Sequence, residues 1–168
     1  MIYLIGFMGV GKTTIGKQLA IQQHVNFIDI DTIIEQENND TISNIFKKKG
    51  EKYFRQLETI TLKKIPKENI VACGGGLPIF NNNLHFIKKN GISVYLKASR
   101  DELIKRLTLN TSDRPLIQNK SNEDLKEFID LELIKREKIY KMADYIIDTN
   151  NLSEKDVLQK INRLLITI

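Results

Sequence analysis

Apolar positions along the 168-residue chain fall into two recurring patterns: short runs rich in β-branched residues, and longer stretches with apolar residues at helical spacing. Five runs read as strands: Ile2 to Ile5, Asn26 to Asp29, Ile70 to Cys73, Ser93 to Leu96 and Tyr145 to Ile147. Each is short and largely apolar, as expected of strands covered on both faces. Between them the spacing predicts helices over Thr13 to Gln23, Ile42 to Lys49 with Thr41 as N-cap, Glu51 to Leu62, Asp101 to Leu109, Asn122 to Met142 and Ser153 to Leu165. Alternation of this kind predicts an α/β domain built of βα units around a mostly parallel, five-stranded sheet. Thr108 to Ser121 follows neither period and is crowded with Asn, Ser, Thr and Asp, so it reads as a long polar loop of the functional kind. No linker divides the chain and no segment repeats, which predicts one domain over residues 1–168.

Composition narrows the function classes. Hydrophobic residues make up 41% and charged residues 28%, which excludes disordered and collagen-like chains. The net charge of +5 suits an anionic small ligand and requires no nucleic acid. A single cysteine, Cys73, rules out an internal disulfide, and with two histidines it is too little for a His/Cys zinc site. The apolar opening Met1 to Ile5 stops at Gly6 and has no basic flank, so it reads as a first strand rather than a signal peptide or membrane span. A cytoplasmic protein without a membrane partner is expected.

Gly6-Phe7-Met8-Gly9-Val10-Gly11-Lys12-Thr13 fits G-x-x-x-x-G-K-[ST] and lies between a predicted strand and a predicted helix. In that context the backbone N–H groups from Gly9, Val10 and Gly11 through Thr14 can curl around phosphate oxygens. Lys12 reaches the β and γ phosphates and Thr13 is a ligand for Mg²⁺. A dinucleotide fingerprint would want a third glycine where Thr14 stands. A GTPase switch is also excluded: none of the ten aspartates begins a D-x-x-G, and Asn119-Lys120-Ser121-Asn122 lacks the final carboxylate of N-K-x-D. Asp29 and Asp31 close the second strand, where open α/β sheets bind ligands, and two carboxylates there can divide the work of holding Mg²⁺ and accepting a hydroxyl proton. The plain alternative for either is capping a helix that begins near Thr32. Lys47-Lys48-Lys49 reads as a solvated helix end.

Further motifs follow in order: Phe54-Arg55-Gln56-Leu57-Glu58 as F-R-x-x-E, preceded by Gly50-Glu51; Gly74-Gly75-Gly76 after the third strand; Arg114-Pro115-Leu116 in the polar loop; Arg136 to Tyr140 as R-x-x-x-Y. With the P-loop and D-x-D, the chain resembles the shikimate kinases over nearly its whole length. Cys73 departs from the Thr or Ser common before the triple glycine. The resemblance implies a three-layer P-loop kinase fold with a mobile lid at about residues 109–121 and a shikimate-binding region at about 31–62. It implies ATP and Mg²⁺ as cofactors, shikimate as the small-molecule substrate, and a step toward chorismate and the aromatic amino acids. A monomer is expected. In this reading Arg55, steadied by Glu58 three residues on, and Arg136 grip a carboxylate, while Gly74, Gly75 and Gly76 bring backbone N–H groups to the ring hydroxyls. Asp31 meets the acceptor hydroxyl, Asp29 faces Thr13 and the metal, and lid residue Arg114 neutralises charge during transfer. Arg106 and the turn Thr149 to Leu152 flank the adenine. The alternatives are a gluconate-type or nucleoside monophosphate kinase of the same architecture, and a non-enzymatic, nucleotide-dependent interaction module.

Overall fold

The computed structural model of the chain describes residues 1–109 and 121–166. Their elements run β1 (Ile2–Ile5), α1 (Lys12–Gln23), β2 (Asn26–Asp29), α2 (Ile30–Asn38), α3 (Ile42–Lys64), β3 (Asn69–Ala72), a 3₁₀ turn (Leu77–Ile79), α4 (Asn83–Asn90), β4 (Ile92–Lys97), α5 (Arg100–Leu109), α6 (Asn122–Tyr140), β5 (Tyr145–Asp148) and α7 (Glu154–Ile166). The strands form one sheet in the order β2-β3-β1-β4-β5, every pair parallel.

Strand alternation sorts the core into two layers. Leu4 of β1 and Val94 and Leu96 of β4 share a core with Ile15 and Leu19 of α1, Leu103 of α5, Ile129 of α6 and Ile161 of α7. Tyr3, Ile5, Val71 and Tyr95 point the other way, into a core with Ile30 and Ile34 of α2, Phe54 and Leu62 of α3, and Ile87 of α4. Helices therefore cover both faces, as continuous apolar strands require. β1 lies between β3 and β4, so the chain builds β2 and β3 on one side of it before crossing to β4 and β5 on the other, and the C-terminal strand ends flank a crevice at this switch point. Ile5 pairs in register with Tyr95, and Asp29 with Ala72, which brings the P-loop, the aspartates and the triple glycine to one rim.

Three departures from the sequence reading have local causes. The helices expected on either side of Gly50 run on as one kinked element, because Gly50 takes φ 78° and ψ 169° inside α3. That backbone region is essentially open only to glycine. The turn and helix between Leu77 and Asn90 carried no sequence signal: α4 has eight residues and buries only Leu84 and Ile87 as apolar anchors, behind Asn81 and Asn82 at positive φ. Helix α2 starts at Ile30, capped by Asp29, rather than near Thr32. Among the described residues no helix is long and apolar enough to cross a membrane.

The kink at Gly50 is testable. A Cβ there meets nothing within 4 Å, so the cost of Gly50→Ala is conformational alone. We expect about 1–3 kcal/mol of lost stability by urea unfolding; an unchanged midpoint would show that α3 straightens without strain.

Candidate functional site

The first wall of the site is the loop from β1 to α1. Gly11, at φ 98°, caps α1 without a side chain, leaving the helix N-terminus open toward the rim. Lys12 folds back over the loop, donating from Nζ to the carbonyls of Gly6 at 2.9 Å and Phe7 at 3.0 Å. Thr13 Oγ1 donates to Asp29 Oδ2 at 2.8 Å, while Asp29 Oδ1 accepts from the Asp31 N–H at 3.1 Å. Asp29 therefore caps α2 with one oxygen and meets Thr13 with the other.

Asp31 sits one turn into the crevice, and its Oδ1 is buried with no hydrogen-bond partner. Burial, reinforced by the Asp29 charge, raises its pKa to about 6. Glu58 on α3 is in a similar position: it is 1% exposed, its Oε1 is buried and unpartnered, and burial lifts its pKa to about 7 against the pull of Arg55. A Cβ on Gly74 would lie 2.5 Å from Glu58 Oε1 and 3.0 Å from Asp31 Oδ1, so only glycine fits between the two carboxyl groups.

Two guanidinium groups face the same space. Arg55 is 5% exposed; Nη1 donates to Glu58 at 2.8 Å and Nη2 to Glu51 at 2.8 Å, with Phe80 packed on the group at 4.8 Å. Arg136 of α6 is buried, bonded through Nη2 to Glu132, and lies 5.5 Å from the Phe7 ring centre. A Cβ on Gly76 would sit 2.4 Å from the Arg55 guanidinium carbon, and one on Gly75 3.3 Å from Arg136 Nη1. The triple glycine therefore lets backbone and two charged groups share a space with no room for side chains. Asn81 and Asn83 bond Thr59 from across the turn, fixing α3 against the glycine loop.

The opposite end is tied together by Arg106. Its Nε meets Glu102 at 2.7 Å, Nη1 the Val10 carbonyl at 3.1 Å and Nη2 the Thr149 carbonyl at 3.1 Å. This clasp joins α5 to the P-loop and to the turn after β5. A depression of about 130 Å³ lies against it, lined by Gly9, Val10, Gly11, Thr14, Arg106 and Leu152 among others.

Gly9, Gly11, Lys12, Thr13, Thr14, Asp29, Asp31, Arg55, Glu58, Gly74, Gly75, Gly76, Arg106 and Arg136 all line one cavity of about 900 Å³, which runs from the P-loop to the triple glycine. Val10 and Leu152 line only the smaller depression. Arg114 and the expected lid lie outside the described residues. Apart from Glu58, the glutamates that hold the arginines have no role in the sequence reading: Glu102 and Glu132 carry none, and Glu51 stands only in a motif. The i, i+4 spacing of Glu51–Arg55, Glu102–Arg106 and Glu132–Arg136 was a readable signal for all three pairs. The Thr41 to Asn44 stretch and Phe46 add a wall; they fall within the region at about 31–62 but carry no motif of their own.

This arrangement coincides with a match of residues 8–165 to the family described as shikimate kinase. A shikimate kinase of Parabacteroides distasonis is 39% identical over 167 residues, 98% of this chain and 96% of its own. The solved shikimate kinase of Bacteroides thetaiotaomicron superposes with a TM-score of 0.92 at 37% identity, covering 98% of this chain and 97% of that one. A second, from Acinetobacter baumannii in complex with shikimate, gives 0.91 at 37% identity and covers 99% and 92% of the two chains. A P-loop, an acidic pair and two buried arginines on one parallel-sheet rim, in a chain matched over nearly all its length, place this protein in the shikimate kinase family.

Proposed function

We propose that this chain transfers the γ-phosphoryl group of ATP to the 3-hydroxyl of shikimate, acting as the kinase of the shikimate pathway with the division of labour described next. The observation that carries the assignment is the convergence of Arg55 and Arg136 on Gly75 and Gly76, at the end of a cavity whose other end is the P-loop. Two planar forks suit a single carboxylate, and a phosphate acceptor at that distance from the P-loop has to be a small molecule.

In this reading the P-loop amides and the α1 N-terminus hold the anionic phosphates, and Lys12 exchanges its carbonyl partners for phosphate oxygens. Asp31, with one oxygen free and its pKa raised toward neutrality, accepts the hydroxyl proton as the bond to phosphorus forms. Phosphoryl transfer needs little more from the protein than alignment and charge stabilisation, and the rigidly held arginines meet the first need.

The residues also fit Mg²⁺. Thr13 and Asp29 are hard oxygen donors, and a hydroxyl that donates to Asp29 keeps its lone pairs for a cation. Among the described residues no group of three His, Cys, Asp or Glu could hold a metal, as suits an ion bound mainly by phosphates and water. Thr13 and Asp29 would hold it, and its contribution when bound is to neutralise charge between the β and γ phosphates. The lid at about 109–121, with Arg114 on it, and a shikimate region at about 31–62 belong to this proposal by resemblance. So does action as a cytosolic monomer; the buried, free Cys73 suits a reducing compartment.

ADP release measured with shikimate, quinate, gluconate and nucleoside monophosphates tests the assignment: turnover with shikimate alone is expected, and equal turnover with a monophosphate would overturn it. The aspartates separate in a magnesium titration. Asp31→Asn is expected to cut kcat at least 100-fold, in the range of general-base catalysis, with the Mg²⁺ requirement unchanged. Asp29→Asn should raise the Mg²⁺ concentration for half-maximal rate while leaving the shikimate KM nearly constant.

Arg55→Lys keeps the charge but loses the fork, so the shikimate KM should rise about 10-fold or more with the ATP KM unchanged. Glu58 also makes stability depend on pH. With its pKa raised from 4.5 to about 7 in the folded protein, the folded state holds a proton that the unfolded chain has lost. Its contribution is complete below the unfolded value and is lost as pH rises through about 7. Urea midpoints should therefore fall between about pH 5.5 and pH 8, and the fall should be smaller in Glu58→Gln; an identical slope in both proteins would contradict the assignment.

A further inference from the structure

Tyr140 ends the R-x-x-x-Y motif and does not line the cavity, yet it is completely buried, and its hydroxyl, beside Arg136, donates to the carbonyl of Gly75. It belongs to α6, one turn beyond Arg136, and its ring packs on Tyr95 of β4 with centroids 5.0 Å apart. It is absent from the residues lining the 900 Å³ cavity, whereas Gly74, Gly75, Gly76 and Arg136 all line it. The hydroxyl therefore reaches the glycine loop from behind. Burial pushes its pKa up to about 12, so it stays protonated and able to donate.

The consequence lies in the next peptide plane. In a trans peptide the C=O of one residue and the N–H of the next point in opposite directions, and none of the described peptide bonds is cis. A Gly75 carbonyl turned back to Tyr140 turns the Gly76 N–H forward. That plane lies between the two guanidinium groups: a Cβ on Gly76 would strike Arg55 at 2.4 Å, and one on Gly75 would sit 3.3 Å from Arg136. A Gly75–Gly76 peptide has no side chain to resist rotation, and glycine accepts both orientations. Something other than local sterics has to select one.

We propose that Tyr140 is a positioning residue for substrate recognition, its hydroxyl holding the Gly75–Gly76 peptide in the orientation that presents the Gly76 N–H to the acid beside Arg55 and Arg136. The peptide donor and the two forks then act as one pre-organised receptor, and the second half of R-x-x-x-Y serves the same carboxylate end of the site as the first. Tyr140 acts through the backbone and touches no reacting atom. This rests on the shikimate kinase reading of the site.

The test is Tyr140→Phe, which keeps the ring and its packing and removes the hydroxyl, the donor to Gly75 that also lies beside Arg136. Losing a pre-organised hydrogen-bond donor should raise the shikimate KM and Kd about 10-fold, with the ATP KM and ADP Kd within twofold of wild type. A wild-type shikimate KM in the variant overturns the proposal, and so does a parallel rise in both KM values, which would mean general loosening. A measurement on the unmodified protein does not depend on the variant folding: the Gly76 amide proton should shift downfield in ¹H–¹⁵N spectra on saturation with shikimate and stay in place with ADP. A stationary Gly76 signal overturns the proposal equally. Wild-type turnover of shikimate in the same assay separates the two ideas. An active wild type with an unaffected Tyr140→Phe removes the Tyr140 role alone, whereas a wild type inactive on shikimate removes both.

Discussion

Arg55 carries a full positive charge at 5% exposure, and the burial of that charge makes the strongest demands on the surrounding structure. An isolated guanidinium in such a place would cost several kcal/mol in lost hydration. Glu51 and Glu58, one turn to either side on the same helix, each accept a hydrogen bond from the guanidinium at 2.8 Å. Neither acid saturates the group: Glu58 keeps one oxygen without a partner, and the face toward Gly76 is left to a ligand. The pairing sets direction as well as charge, because α3 has to hold three residues in line while its kink at Gly50 lets the preceding turns form a separate wall.

The same device recurs where the site needs a rigid cation. Glu132 holds Arg136 four residues on along α6, and Glu102 holds Arg106 along α5. Such pairs contribute little to stability on an open surface. Here their value is geometric, since a guanidinium bound edge-on to a glutamate loses the rotamer freedom that would otherwise be lost on meeting substrate. Arg106 directs its remaining N–H groups to backbone carbonyls, so the P-loop and the turn after β5 move as one piece. The cavity thus has stiff ends, the P-loop at one and the paired arginines at the other, joined by a rim of strand ends.

The carboxyl groups are arranged on the opposite principle. Asp31 and Glu58 each have a buried oxygen with no partner, both beside the position where a Gly74 side chain would be. Unsatisfied buried oxygens are costly, and they raise the affinity of these groups for protons. The charge complement that would repay this is a hydroxyl and its proton, which the acceptor substrate brings. Asp29, by contrast, has both oxygens occupied, by Thr13 and by the start of α2.

Much of this was readable from one dimension. Periodicity predicts the five parallel strands and most of the helices, and the P-loop identifies its own chemistry because its spacing encodes a local structure, strand to glycine turn to helix. The F-R-x-x-E and triple-glycine motifs pointed to residues that the fold does bring to one cavity. Sequence spacing could not show that Gly75 and Gly76 lie against arginines from two different helices, that two acids 27 residues apart keep facing oxygens free, or that Tyr140 reaches the back of the glycine loop across 65 positions. Helix α4 escaped notice because its few apolar residues are anchored by packing rather than pattern. Local preferences and motif spacing act within a turn or two of chain, so they are legible in order along the sequence. Burial, orphaned oxygens and the direction of a peptide plane depend on which strand ends meet at the switch point, and only the order β2-β3-β1-β4-β5 determines that.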